Sequence, residues 1–538
     1  MAGDPHDAHP FHRSQPAWRS KWLMVALGIS AVLATESFGG QGLDRVRQRG
    51  RLIWGADQEG GGPFVYPDAA NPSKLTGFEV EIAEQLASRL GVAAQFAQGQ
   101  WDKLPDLLNR GDIDIVLNGY EWSQDRSQRF GCSLPYYIYQ LQLLGRRGET
   151  PLQSLDELIR LSGNRKPKIG VLGGSAAHDY LTEHHAAQVD IIQFDGAAEV
   201  MRGVEVGLEG LDANLQDLPV WTFFEKGFPY LTPIGSPVGK GYYVALTRRD
   251  DEELLRELNR AILEMLTDGT MRRILEKYGL WNEVQTSRAL EMLPNGQFVG
   301  AKLRSRASAS TNTNVSEYEP VRGWNVVRQR GLLLIQAAGI TILLAVTAMP
   351  LAILAGMLMA VGRMFGPRWL AGLVTMVIEI IRGTPLVLQL YVIFFLLPEI
   401  GLSIHAFWAG VLGLAINYSA YEAEIYRAGI QAVPRGQMEA AKALGMSPVL
   451  ALRRVILPQA TRIVIPPVTN DFIALFKDTA VCSVITIVEL SKEYSIHARS
   501  TGAIVELGLL TAILYLAMSY PMSQLASRLE KRMARGPA

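Results

Sequence analysis

Residues 331–362 read GLLLIQAAGITILLAVTAMPLAILAGMLMAVG, 32 positions without a charged side chain. A helix rises about 1.5 Å per residue, so this stretch exceeds the ~30 Å hydrocarbon core of a bilayer and predicts a tilted membrane span. Toward the C-terminus, residues 369–398, 400–421, 463–488 and 507–525 are four further span candidates. Toward the N-terminus, residues 304–316 read RSRASASTNTNVS. That segment is small, polar and without apolar periodicity, as a flexible tether should be. The predicted divisions are a leader over 1–42, a soluble unit over 43–285, a linker over 286–322, and a membrane domain of five helices over 323–538.

Whole-chain composition sets outer bounds. The chain has 538 residues, enough for two to four domains. Lys+Arg and Asp+Glu both total 52, so the formal net charge is zero. No nucleic-acid partner is expected, because phosphate binding needs a basic excess. A hydrophobic fraction of 48% excludes wholesale disorder. Two cysteines, Cys132 and Cys482, exclude a disulfide framework and are not expected to pair. Near the start, Arg19, Ser20 and Lys21 precede an apolar run over 22–34. Its 13 residues suit the core of a secretory signal, with Val32-Leu33-Ala34 as a cleavage site or, failing cleavage, as part of an anchor.

The leader places the soluble unit outside the inner membrane, and five spans then place the C-terminus in the cytoplasm. Charge agrees with that topology. Loops assigned inside hold Arg363, Arg368, Arg427, Arg435, Lys442, Arg453, Arg454, Arg462, Arg528, Lys531, Arg532 and Arg535; loops assigned outside hold only Lys492 and Arg499. Cytoplasmic loops carry such an excess of cations.

Within the soluble unit, short apolar runs alternate with amphipathic ones. Residues 51–55, 113–117 and 168–172 read as strands. Residues 78–90 read as a helix ending at Gly91, and 252–280 as a helix with Leu254, Leu255, Leu258, Ala261, Ile262 and Met265 on one face. Such alternation predicts an α/β unit with mostly parallel sheets. The order of several motifs then resembles the periplasmic binding proteins for polar amino acids. These motifs are Leu75-Thr76-Gly77-Phe78-Glu79-Val80-Glu81, Gly111-Asp112-Ile113-Asp114, Ser123-Gln124-Asp125-Arg126, Leu134-Pro135-Tyr136-Tyr137, Gly174-Ser175, and Asp212-Ala213-Asn214-Leu215-Gln216-Asp217.

The resemblance implies two lobes closing on one small ligand, with chain crossings near 140–146 and 242–247. It implies Arg126 as the partner of a ligand carboxylate, Asp217 as the partner of its ammonium, Trp101 as a wall against its side chain, and Asp57 near the side-chain tip. A bidentate guanidinium suits a carboxylate. Ser123 could add a hydroxyl. Gly174 and Ser175 stand at a strand-to-helix turn, where free amides favour an anion. The sequence departs from the pattern twice. Glu121 replaces a small hydroxyl residue, and residues 58–64 read QEGGGPF without the usual aromatic. With Asp57, Glu59 and Glu121 around one cleft, a basic amino acid is expected over an acidic one, arginine or lysine ahead of glutamine; the alternative is that Glu59 faces solvent and Glu121 pairs with Arg126, which leaves a near-neutral pocket that takes glutamine equally.

In the inside loop between the third and fourth candidate spans, Glu439-Ala440-Ala441 is followed by Gly445 and then by Val455-Ile456-Leu457-Pro458. This resembles the coupling motif of ABC-importer permeases, which implies docking on a cytoplasmic ATPase dimer that consumes ATP and Mg. Arg382-Gly383-Thr384-Pro385-Leu386 and the stretches 420–427 and 470–479 extend the resemblance to the polar amino-acid branch. Glu379, Arg382, Asn417, Asn470, Lys477 and Asp478 are polar residues inside candidate spans, with Glu424 three residues beyond one, and such groups face partners or a pathway. Five spans do not enclose a route alone, so a second permease subunit, in a homodimer, is expected.

No metal-ligand spacing links the eight His and two Cys, and no nucleotide loop is present. Residues 235–241, GSPVGKG, fall one residue short of a phosphate loop and lack its final Ser or Thr. The chain is therefore expected to be no enzyme and to hold no cofactor. A ligand-gated channel and a transport-inactive receptor are the alternatives. All spans follow the soluble unit, which speaks against the first, and the coupling motif speaks against both.

Overall fold

The computed structural model describes residues 42–148, 153–194, 196–288 and 323–534. The leader segment and the tether over 304–316 lie outside the described residues.

The soluble unit is built on two five-stranded sheets. In the first, the strand order is Ala93–Gln98, Arg51–Ala56, Ile115–Val116, Leu246–Arg248, Phe130–Cys132. In the second it is Leu231–Tyr243, Tyr137–Arg146, Ala213–Asp217, Lys168–Leu172, Asp190–Phe194. Each sheet is the base of one lobe. The sheets are mixed, not mostly parallel as the alternation suggested: four pairings are parallel and four antiparallel. Every antiparallel pairing involves a strand flanking a chain crossing, and local βαβ patterning does not encode those returns.

The second crossing falls within 242–247, as expected. The first does not lie at 140–146. Tyr137–Arg146 is one unbroken strand of the second lobe, paired with Leu231–Tyr243 from Tyr137↔Tyr243 onward, so the chain crosses at 133–136. Residues 252–280 form two helices, Glu252–Thr267 and Thr270–Lys277, because Gly269 between them has φ +78. The predicted apolar face is buried except at Leu255, which is half-buried. Residues 235–241 lie in a bulged strand and not in a strand-to-helix loop.

The C-terminal half is mostly helical. Asn325–Phe365 and Ile504–Gln524 are long and apolar enough to cross a membrane, and a bent pair, Arg368–Gly383 with Leu386–Ile400, turns through 107°. The bend falls on Thr384-Pro385. A proline forces its predecessor out of the helical region, and Thr384 is extended at φ −115, ψ 141. Ala406–Ala432 and Leu457–Asp478 are helices of 27 and 22 residues that carry more charge. The 463–488 candidate is not one helix; it ends at Asp478 and passes into a 3₁₀ stretch, Thr479–Ile485. Ala348, Ala352, Gly356 and Ala360 make a buried stripe at four-residue spacing on the first long helix. A Cβ on Gly356 would stand 2.8 Å from the Ser419 carbonyl oxygen, so only glycine lets this helix meet Ala406–Ala432 so closely.

Candidate functional site

A cleft of about 450 Å³ lies between the two lobes. Of the residues singled out from sequence, Asp57, Trp101, Glu121, Ser175 and Asp217 line it. Ser123, Arg126 and Gly174 are not among its lining residues.

At one end, the first strand delivers Asp57 to the start of a short turn, Gln58–Gly60. Its carboxylate accepts from the Glu59 amide at 3.0 Å, the Gln98 side chain at 2.8 Å and the Trp101 amide at 3.1 Å. Burial pushes the Asp57 carboxyl up, and the charge of Lys492 opposes that rise. Trp101 is held by its indole N–H on the Asn118 carbonyl at 3.0 Å and stacks on Tyr120 with ring centroids 4.8 Å apart.

At the other end, Ser123 caps Gln124–Arg129, accepting from the Arg126 amide at 3.2 Å. Its hydroxyl is thus a helix cap in this structure. The Arg126 guanidinium donates to the Glu121 carbonyl at 2.7 Å and to the Glu121 carboxylate at 2.9 Å. The other carboxylate oxygen of Glu121 accepts from the Ala176 amide at 3.0 Å, across the cleft in the second lobe. Ser175 caps that helix, Ala176–His184, and Gly174 before it takes φ +70, which suits glycine. Glu121 therefore does not add to a repulsive acidic cluster, as its place in the sequence suggested. Its charge is met by a guanidinium and by a helix N-terminus. Asp217 is buried, and one of its oxygens accepts from the Tyr243 hydroxyl while the other has no partner among the described residues. Burial, then the charge of Glu121, push its carboxyl up.

The cleft is not bounded by the soluble unit alone. Tyr391, Val484 and Arg499 from the membrane domain line it too. Lys492, on the helix Leu490–Thr501, lies 3.0 Å from Glu59 and 4.0 Å from Asp57. Sequence reasoning missed these residues as site residues, together with Tyr243 and Gln98. Their one available signal was that Lys492 and Arg499 were the two cations on the outer side. Lobe one also meets the membrane domain through Arg110, which lies 3.7 Å over the Phe394 ring and donates to the Ile404 carbonyl at 3.1 Å.

Far from the cleft, Arg435–Ala443 and Pro448–Ala451 form an exposed helix and turn. Glu439 and Ala440 are exposed, Ala441 is buried, and Gly445 takes φ +80 as the helix terminates. Leu457 and Pro458 open the next helix. Leu444 is 80% and Val449 76% exposed. Among the pathway candidates, Glu379 and Arg382 pair at 3.8 Å, Glu424 pairs with Arg363 and Arg427, Asn417 donates to Gln389 at 3.2 Å, and Asp478 accepts from Tyr418 at 2.6 Å. Asn470 and Lys477 are exposed.

Residues 52–280 match the bacterial extracellular solute-binding proteins, family 3, and residues 352–535 match the binding-protein-dependent transport system inner membrane components. The L-cystine transport system permease protein TcyB of Bacillus subtilis (strain 168) is 36% identical over 215 residues, 39% of this chain and 92% of that protein. The L-cystine-binding protein TcyJ of Escherichia coli (strain K12) is 31% identical over 261 residues, 47% of this chain and 92% of that protein. A crystal structure of an amino acid ABC transporter with histidines aligns at 38% identity over 39% of this chain and 99% of its own, with a TM-score of 0.38.

Proposed function

The chain belongs to the binding-protein-dependent inner membrane transport components, fused in one polypeptide to an extracellular solute-binding domain of family 3, and from that premise we propose that it is the membrane subunit of an ATP-driven importer for a polar amino acid. The binding domain lies on the periplasmic side, five spans follow it, and the C-terminus is cytoplasmic. Two such chains pair around the route, and a separate ATPase dimer with ATP and Mg docks on Arg435–Ala443 and the turn after it. The observation that carries this reading is the composite cleft: receptor and membrane domain wall a single site, with Tyr391, Val484 and Arg499 facing the lobes. A receptor that hands its ligand straight to a pore needs that adjacency.

An incoming α-carboxylate would take the place of Glu121 against Arg126 and the Ala176 amide. Asp217 would receive the ammonium, and Asp57 with Glu59 a cationic side-chain end. Basic amino acids are therefore preferred to acidic ones, arginine or lysine ahead of glutamine. The Glu121–Arg126 pair favours a second reading, a near-neutral pocket that takes glutamine as readily. The test is uptake into proteoliposomes holding the chain and its ATPase, with a panel of amino acids and with ATP present or absent. ATP-dependent uptake led by arginine or lysine is expected. Equal uptake of glutamine would select the second reading, and uptake without ATP would refute the importer.

A further inference from the structure

Lys492 is an unusual lysine. Its side chain is 3% exposed, yet among the described residues its ammonium has no partner except Glu59 and Asp57. Both partners belong to the other domain, more than four hundred positions earlier in the chain. A buried ammonium must be paired, because desolvation penalises it otherwise. Here the pairing exists only while the binding domain sits on the membrane domain. Arg499, two turns further along the same helix, also reaches Glu59, at 3.9 Å.

The local sequence makes room for this. Glu59 is followed by Gly60, Gly61 and Gly62, where an aromatic wall was expected. A Cβ on Gly60 would meet nothing within 4 Å, so no side chain from that position stands between Glu59 and the Leu490–Thr501 helix. Compact and positively charged, the lysine ammonium resembles what a basic ligand would bring to Asp57 and Glu59.

We propose that Lys492 is a competing cation carried by the membrane domain: in the docked chain it occupies the Asp57–Glu59 end of the cleft and displaces the side-chain cation of a basic ligand, so that docking itself promotes release toward the pore. The proposal rests on the reading of the cleft as an amino-acid site with a cationic subsite. Docking would thus weaken a cationic ligand selectively and leave a neutral one nearly untouched, because specificity is a difference between two affinities.

The test uses the full chain in lipid nanodiscs without ATPase, with equilibrium binding of radiolabelled arginine and radiolabelled glutamine. Lys492→Gln should tighten arginine about tenfold and glutamine less than about twofold. Lys492→Arg, which keeps the charge, should tighten arginine far less than Lys492→Gln does. Glu59→Gln should abolish the effect of Lys492→Gln. An arginine affinity that ignores Lys492→Gln, or a gain equal for both ligands, overturns the proposal alone. Failure of both amino acids to bind to any of these chains overturns the amino-acid reading and the proposal with it. Carbodiimide coupling of the unaltered chain gives a readout that needs no variant. A Lys492–Glu59 amide, found by mass spectrometry and suppressed by arginine, is expected, and an amide that persists at saturating arginine overturns the competition.

Discussion

The two ends of the cleft solve the same problem with opposite charges and from different sources. At the Arg126 end, the protein supplies its own carboxylate, Glu121, only five residues away in sequence. At the Asp57–Glu59 end, it supplies a cation, Lys492, from another domain. Each end of the cleft thus holds a group with the charge a basic amino acid would bring there. Buried charges that lack a ligand need partners from the protein. The difference lies in when the partner is present. Glu121 stays beside Arg126 whatever the membrane domain does, so it sets the resting affinity. Lys492 comes and goes with docking, so it makes affinity conditional.

The comparison breaks most visibly at Arg126. Arg126→Ala should weaken arginine and glutamine alike by about 30-fold or more, since losing one partner of a buried charged pair costs roughly 2–5 kcal/mol. Equilibrium binding to the full chain measures it, and unchanged affinity would remove Arg126 from the site. Gly445→Arg tests that neither end is involved in coupling. It forces a side chain onto φ +80 and into the exposed tip. Ligand-stimulated ATP hydrolysis with the ATPase bound should fall about tenfold or more while arginine binding holds. Full hydrolysis would dismiss the docking role.

Smaller effects sharpen the contrast. Glu121→Ser frees the Arg126 guanidinium and the Ala176 amide for a ligand carboxylate. Affinity should rise about fivefold for arginine and for glutamine together, since both bring that carboxylate. This common gain distinguishes the Glu121 end from the Lys492 end, where only the cationic ligand should gain. A loss on Glu121→Ser would mean that Glu121 touches the ligand favourably.

The last effect concerns stability and a carboxylate in neither end. Glu79 is fully buried behind the cleft, accepting from the Gly119 amide at 2.7 Å and the Tyr136 hydroxyl at 2.5 Å. Burial pushes it up to about 7 from an ordinary 4.5. Between those values the folded chain keeps a proton that the unfolded chain has released. Stability contributed by that proton is present below about pH 4.5 and is lost as pH rises to about 7, at up to about 1.4 kcal/mol per pH unit. Glu79→Gln should flatten this decline in melting temperature between pH 5 and pH 7, and an unaltered slope would contradict it.

Much of the molecule was legible from local pattern. The charge-free run at 331–362 announced a long apolar helix, because 32 residues without charge have few other uses. The strands at 51–56 and 168–172, the helix ending before Gly91, and Ser175 as a helix cap followed from periodicity and capping chemistry. Where the sequence reading went astray, the cause was nonlocal. The first crossing was misplaced because Tyr137–Arg146 takes its register from Leu231–Tyr243, nearly a hundred residues away. The 463–488 run broke after Asp478, which accepts from Tyr418 on another helix.

Sequence by itself determined that a ligand-binding unit and a helical membrane domain share this chain, and the family resemblance carried by its motif order pointed to Asp57, Trp101, Glu121, Ser175 and Asp217, all of which line the cleft. Only the tertiary structure decided which charge meets which. Glu121 and Arg126 could each have faced solvent or a ligand, and their five-residue spacing allows a pair without requiring one. Lys492 and Glu59 carry no mutual signal at all along the chain. Coulomb interactions act through space at a few ångströms and are indifferent to sequence separation, so a pair made by the docking of two domains exists only once both have folded and met.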